Sequence, residues 1–161
     1  MKFLETAQEN AVYELFPTMH AVDLFETNTP PYITYHLSVF DHWLTEEEAT
    51  DENAFSKKNL RRYKDSVRGF YFYLFKKYKL YSFFEINWGG GSLLEFTSKK
   101  EFSDWVEIML TERMFLRLVV PELKIMIVHD FDYTLPLFLS EGADVVQIEE
   151  LVAQHELYLL K

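Results

Sequence analysis

The motif with the clearest potential for chemistry is formed by His129, Asp130 and Asp132, an imidazole followed by two carboxylates. It directly follows the apolar residues 125–128. Imidazole nitrogens and carboxylate oxygens are ligands for divalent cations, and a bound cation can activate a water molecule for hydrolysis. A small metal-dependent hydrolase or phosphatase built around these three residues is therefore one functional hypothesis.

The run Asp130-Phe131-Asp132-Tyr133-Thr134-Leu135 resembles the nucleophile motif of haloacid-dehalogenase-type phosphatases. The resemblance implies that Asp130 attacks phosphorus, that Asp132 is the acid and base, and that Mg²⁺ bridges the two. That family also needs a hydroxyl residue, a lysine and an acidic pair on later loops. Only 26 residues follow Leu135, and their only lysine is the terminal Lys161. We therefore favour the interpretation of 130–132 as an acidic turn between two strands.

The other motifs that could indicate catalysis or ligand binding are either missing or lack the neighbouring structure that they require. The triple glycine Gly89–Gly91 leads into a strand-like segment, whereas phosphate loops lead into the N-terminus of a helix. Cysteine is absent, no serine lies in a Gly-x-Ser-x-Gly elbow, and no two histidines have the i, i+4 spacing of a helical zinc site. The sequence therefore specifies no catalytic residue, no cofactor and no metal site.

The elements that position these residues are four helices and several strands. Apolar residues at steps of three and four predict helices at 3–16, 56–78, from 98 onward and 144–156. Alternating or short apolar runs predict strands at 18–25, 33–39, 81–88, 92–97, 115–120, 123–129 and 133–139. Strands joined by tight turns pair antiparallel, so we predict an α+β fold, a sheet of about five to seven antiparallel strands with about four helices packed on it. A chain of 161 residues is expected to form one globular domain, 1–161.

Charge is separated along the chain. Residues 57–79 hold nine cations and one anion, a net charge of +8, which leaves −18 for the rest of a chain whose total is −10. One hypothesis is nucleic-acid contact, with these cations on phosphates and Tyr63, Tyr71 and Tyr73 stacked on bases. We favour the alternative that the cations are the wet face of an amphipathic helix, partly neutralised by the carboxylates of 41–52. A body of −18 repels nucleic acid over most of its surface.

The surplus of acidic and aromatic residues predicts a protein partner and no enzymatic activity. Phe, Tyr and Trp make up 17% of the chain, more than one core needs, and exposed Tyr and Trp are common interface anchors. An acidic surface with aromatic anchors suits a cationic partner protein. In size, charge and lack of motif the chain is similar to small acidic bacterial immunity proteins, which block cationic nuclease toxins. The predicted partner-binding residues are Asp41, Glu46, Glu47, Glu48, Asp51, Glu52, Tyr71 and Tyr73.

The sequence also predicts a soluble, cytoplasmic protein with no membrane partner. Glu5, Glu9 and Glu14 interrupt the apolar residues at the N-terminus, whereas a signal peptide needs a continuous apolar stretch. No apolar run approaches the roughly 20 residues that span a bilayer. The lack of cysteine suits a reducing compartment.

Overall fold

The computed structural model describes residues 1–19, 32–50, 56–87, 90–112, 116–129 and 134–161. Within these residues the helices are α1 (Thr6–Leu15), α2 (Glu46–Thr50), α3 (Lys57–Lys77), α4 (Lys99–Glu112) and α5 (Val145–Ala153). The strands are β1 (Lys2–Phe3), β2 (Ile33–Ser38), β3 (Tyr81–Asn87), β4 (Gly90–Glu95), β5 (Leu116–Val120), β6 (Ile125–His129), β7 (Thr134–Leu139) and β8 (Tyr158–Leu160). The predicted α+β class is confirmed.

The described strands form one antiparallel sheet in the order β1-β4-β3-β5-β6-β7-β2-β8. Strands joined by short connections lie side by side, as antiparallel pairing allows. The earlier strand β2 adds to β7 with Ile33 opposite Leu139 and Ser38 opposite Thr134. The sheet is slightly wider than predicted because the short strands β1 and β8 form its two edges. Two or three residues show too little alternation to be recognised as a strand in the sequence.

A large core lies between the sheet and helices α3, α4 and α5. Helix α3 begins after Ser56, whose hydroxyl accepts a hydrogen bond from the N–H of Asn59, and it ends at Tyr78. Its apolar stripe faces this core, as the spacing predicts, and the buried residues of α3 are Tyr63, Val67, Phe70, Tyr71 and Leu74. Each such side chain contributes about 1.5–3 kcal/mol when it leaves water, so this stripe is a principal stabilising contact of the fold.

A second, smaller core lies on the opposite face of the sheet, under α1. Val12 of α1 and the following Phe16 and Met19 are buried there against strand residues. Side chains alternate between the two cores along each strand: in β6, Ile125 and Ile127 contribute to the larger core, whereas Met126 and Val128 contribute to the smaller. Because both faces are covered, β6 is apolar at both alternating positions over 125–128.

The predicted positions of the first helix and the first strand either differ from the structure or cannot be compared with it. Helix α1 starts at Thr6, later than predicted, because Lys2–Phe3 pairs with β4 as a strand. Most of the strand predicted at 18–25 lies outside the described residues.

At the start of α4 the Ser98 hydroxyl accepts from the N–H of Glu101, as a capping box requires. The Glu101 carboxylate, however, accepts from the N–H and hydroxyl of Thr97 and pairs with the N-terminal ammonium at 2.5 Å. That ammonium, and then Thr97, lower the pKa of Glu101 to about 2.

Candidate functional site

The imidazole of His129 lies inside the protein. His129 ends β6 on the same sheet face as Ile125 and Ile127, and it is 5% exposed. Asp130 and Asp132, which complete the predicted hydrolase motif, lie outside the described residues. Across the described ranges, no three His, Asp or Glu side chains are grouped so that they could hold a metal ion. The burial of His129 weighs against an accessible hydrolytic centre built on this residue.

The acidic segment 41–48 lies on the surface and brings four predicted partner-binding residues together. Asp41 precedes the short helix α2, whose first turn consists of Glu46, Glu47 and Glu48, and all four side chains are exposed. A capping box fixes the start of α2. The Thr45 hydroxyl accepts from the N–H of Glu48 at 3.2 Å, and the Glu48 carboxylate accepts from the N–H of Thr45 at 2.9 Å. The carboxylates of Glu46 and Glu47 are thereby presented to solvent.

His42 joins two of these carboxylates. Its Nδ1 lies 2.7 Å from Asp41 Oδ1, and its Nε2 lies 3.2 Å from Glu48 Oε1. Hydrogen bonds to Asp41 and then Glu48 raise the pKa of His42 above its ordinary value. The bond from His42 lowers the pKa of Asp41, while the Thr45 N–H and then His42 lower that of Glu48. The three side chains form one charge-assisted cluster, which favours ionised carboxylates at neutral pH.

Trp43 places an aromatic ring within this acidic segment. Its indole is 48% exposed. The ring forms a T-shaped contact with the ring of His36 of β2, with 4.8 Å between the centroids. The indole N–H donates to the backbone carbonyl of Lys161 at 3.0 Å, which ties the segment to the C-terminal end of the chain. The hydrogen bond and the ring contact hold this half-exposed indole in one orientation, so it is a preorganised contact surface for a partner. Sequence reasoning missed Trp43, although a tryptophan inside the densest acidic run was the available signal.

The two predicted tyrosines lie on α3, and neither is fully exposed. Tyr71 is 1% exposed, its ring packs at 6.1 Å from Trp105, and burial raises its pKa well above the ordinary value. Tyr71 therefore lies on the core side of α3, where its ring is covered by other side chains of the same chain. Tyr73 is half-buried, with its ring 5.3 Å from His155. Asp51 and Glu52, the remaining predicted residues, lie outside the described ranges.

The cations of α3 are partly neutralised, but chiefly by carboxylates other than those expected. Arg68 donates two hydrogen bonds to Glu107 of α4, at 2.8 and 3.2 Å, and a third to Asp65 at 3.0 Å. Arg61 also lies near Asp65, at 3.7 Å. From the acidic segment, Asp41 lies close enough to α3 that the charge of Arg62 contributes, after the hydrogen bond from His42, to lowering its pKa. Helix–helix packing therefore uses part of the charge that nucleic-acid binding would need.

No protein-family model, curated protein or solved structure matches this chain. In the described part of the chain, no helix has both the length and the apolar character needed to cross a membrane.

Proposed function

We propose that this protein is a non-enzymatic binding protein that holds a cationic protein, in the manner of an immunity protein that neutralises a basic toxin such as a nuclease. The observation that carries the proposal is the exposed indole of Trp43 in the same surface segment as the exposed carboxylates of Asp41, Glu46, Glu47 and Glu48. We call these five residues the acidic face.

The acidic face has the chemistry that recognises Lys and Arg side chains. A guanidinium or ammonium group is attracted to the face of an indole by about 0.5–2 kcal/mol, and more strongly when water is excluded. The exposed carboxylates of the same segment can accept hydrogen bonds from such a cation and attract it electrostatically. Interface hot spots combine such an aromatic anchor with a polar surround.

The net charge supports the same partner class. A body that carries −18 outside 57–79 attracts a basic protein over distances of the Debye length, about 8 Å at physiological ionic strength. This attraction accelerates association and orients the two proteins before contact. The Trp43 contact would then set the dissociation rate, because most differences in affinity among related complexes arise there.

The test is capture of the natural partner from the source cell, followed by kinetic measurement with the purified pair. Glu46→Lys with Glu47→Lys should reduce the association rate by about tenfold or more at low salt, and much less at high salt. The matched control is Glu149→Lys with Glu150→Lys, which makes the same change in net charge at two exposed residues of α5. Trp43→Ala should raise the dissociation rate. An acidic partner bound at the acidic face, or equal effects of the two charge reversals, would contradict the proposal.

A further inference from the structure

A surface of opposite character lies where the last turns of α3 approach the first turn of α4. A cleft of about 420 Å³ opens there, lined by Phe72, Phe75, Lys76 and Lys99. We call it the basic cleft. None of its residues belongs to the acidic face, so the function proposed for that face does not account for the cleft.

The floor of the basic cleft consists of phenyl rings that pack against one another. Phe75 lies parallel to Phe102 of α4, with 4.5 Å between ring centroids and 10° between planes. Phe72 meets the same ring edge-on, with centroids 5.4 Å apart. Phe102 is fully buried, so the core fixes the positions of both half-buried rings. Further along the helices, the bonds of Arg68 to Glu107 hold α3 against α4. The apolar floor is therefore preformed.

The rim of the basic cleft is positively charged. Lys99 Nζ lies 5.9 Å from the centroid of the Phe72 ring, and Lys76 follows Phe72 by one helical turn. Both lysines are exposed, and neither forms an ion pair with a carboxylate of the described residues. The neighbouring Lys100 is different, since its ammonium lies 2.6 Å from Asp104. Two unneutralised ammonium groups thus border an apolar floor.

We propose that the basic cleft binds an acidic segment of a partner protein, which inserts one large apolar side chain between Phe72 and Phe75. Carboxylates on either side of that chain pair with Lys76 and Lys99. Charge complementarity selects this occupant: the rim repels cationic segments, and a neutral apolar segment would leave both ammonium groups uncompensated at the interface. The proposal does not depend on the cationic partner of the acidic face.

The shape of the cleft favours a protein segment over a small molecule. Small-molecule sites enclose most of the ligand and fix its orientation with several convergent polar groups. Among the described residues that line the cleft, the polar side chains are two ammonium groups on flexible stems, and the cleft is open to solvent. A side chain that projects from a partner, with its backbone left outside, needs no further enclosure.

The probe is a short fluorescent peptide with one central tryptophan between aspartate and glutamate residues, titrated with the full chain. Lys76→Glu with Lys99→Glu should weaken its binding by about tenfold or more. The control is Lys57→Glu with Lys58→Glu, an equal charge change at exposed residues on the first turn of the same helix, which should change binding by less than about twofold. Because all four lysines are exposed, both variants should fold, and circular dichroism verifies this.

Two further arms locate the contact and identify the occupant. Replacing the central tryptophan of the peptide with alanine should abolish most of the binding, and amide resonances of 72–76 and 99 should shift most. Undetectable peptide binding, equal loss in the two lysine pairs, or retained binding of the alanine peptide would overturn the proposal. Self-association of the chain that disappears in Lys76→Glu with Lys99→Glu would also overturn it, because the occupant would then be a second copy.

Discussion

Gly69→Ala should stabilise the protein, although Gly69 lies in the middle of α3 against the ring of His155. Its φ is not in the left-handed region, so alanine adopts the same backbone without strain. Alanine is favoured over glycine in a helix interior by about 1 kcal/mol. A Cβ built at this position lies 3.4 Å from His155 Nδ1, which is at the short limit of van der Waals contact, so the imidazole needs at most a small shift to accept it. The expected net gain is therefore about 0.5–1 kcal/mol.

The assay is thermal and urea unfolding of the purified variant. For a chain of this size, 1 kcal/mol corresponds to a shift in Tm of about 2–4 °C. The control is Gly142→Ala, because Gly142 has a φ of +74° and its added Cβ would lie 2.8 Å from Lys124 Nζ. That variant should lose about 1 kcal/mol or more, from the left-handed conformation alone. A loss of stability in Gly69→Ala would refute the reasoning, since it would mean that His155 cannot yield to the new methyl group.

Two further outcomes follow from the core around α3. Leu74→Ala should lower the free energy of unfolding by about 2–5 kcal/mol, because Leu74 is 0% exposed and its truncation leaves a cavity in the larger core; near-wild-type stability in urea would contradict this assignment. The second outcome concerns pH. Burial lowers the pKa of His155 below its ordinary value, so its contribution to stability is complete above a pH of about 6.5 and is lost as the pH falls through the folded pKa. His155→Phe keeps an aromatic ring against Phe70 and Tyr73 but cannot titrate. The variant should therefore lose less stability than the wild type when unfolding is measured from neutral pH to about pH 5; parallel losses in the two proteins would show that His155 is not responsible.

Local patterns in the sequence were sufficient for most elements of the fold. The stripe of Val67, Phe70 and Leu74 predicts the buried face of α3, because a helix repeats its faces every 3.6 residues whatever it packs against. The edge strands β1 and β8 could not be recognised, because each exists only through pairing with a neighbour distant in the chain.

For the candidate binding surfaces, too, the sequence was sufficient for some features, and the tertiary structure was needed for others. Residue types alone indicated that 41–52 is acidic and solvated, since six carboxylates so close together cannot be buried without cations. Which aromatics join them depended on the fold. Tyr71 belongs to the core because α3 turns that position toward Trp105, and Trp43 is presented because β2 and the C-terminus hold its ring. The basic cleft likewise exists only because α4 brings Phe102 beneath Phe72 and Phe75. Composition and periodicity determined the class of fold and the separation of charge, whereas the contents of each surface were decided by contacts between elements far apart in the chain.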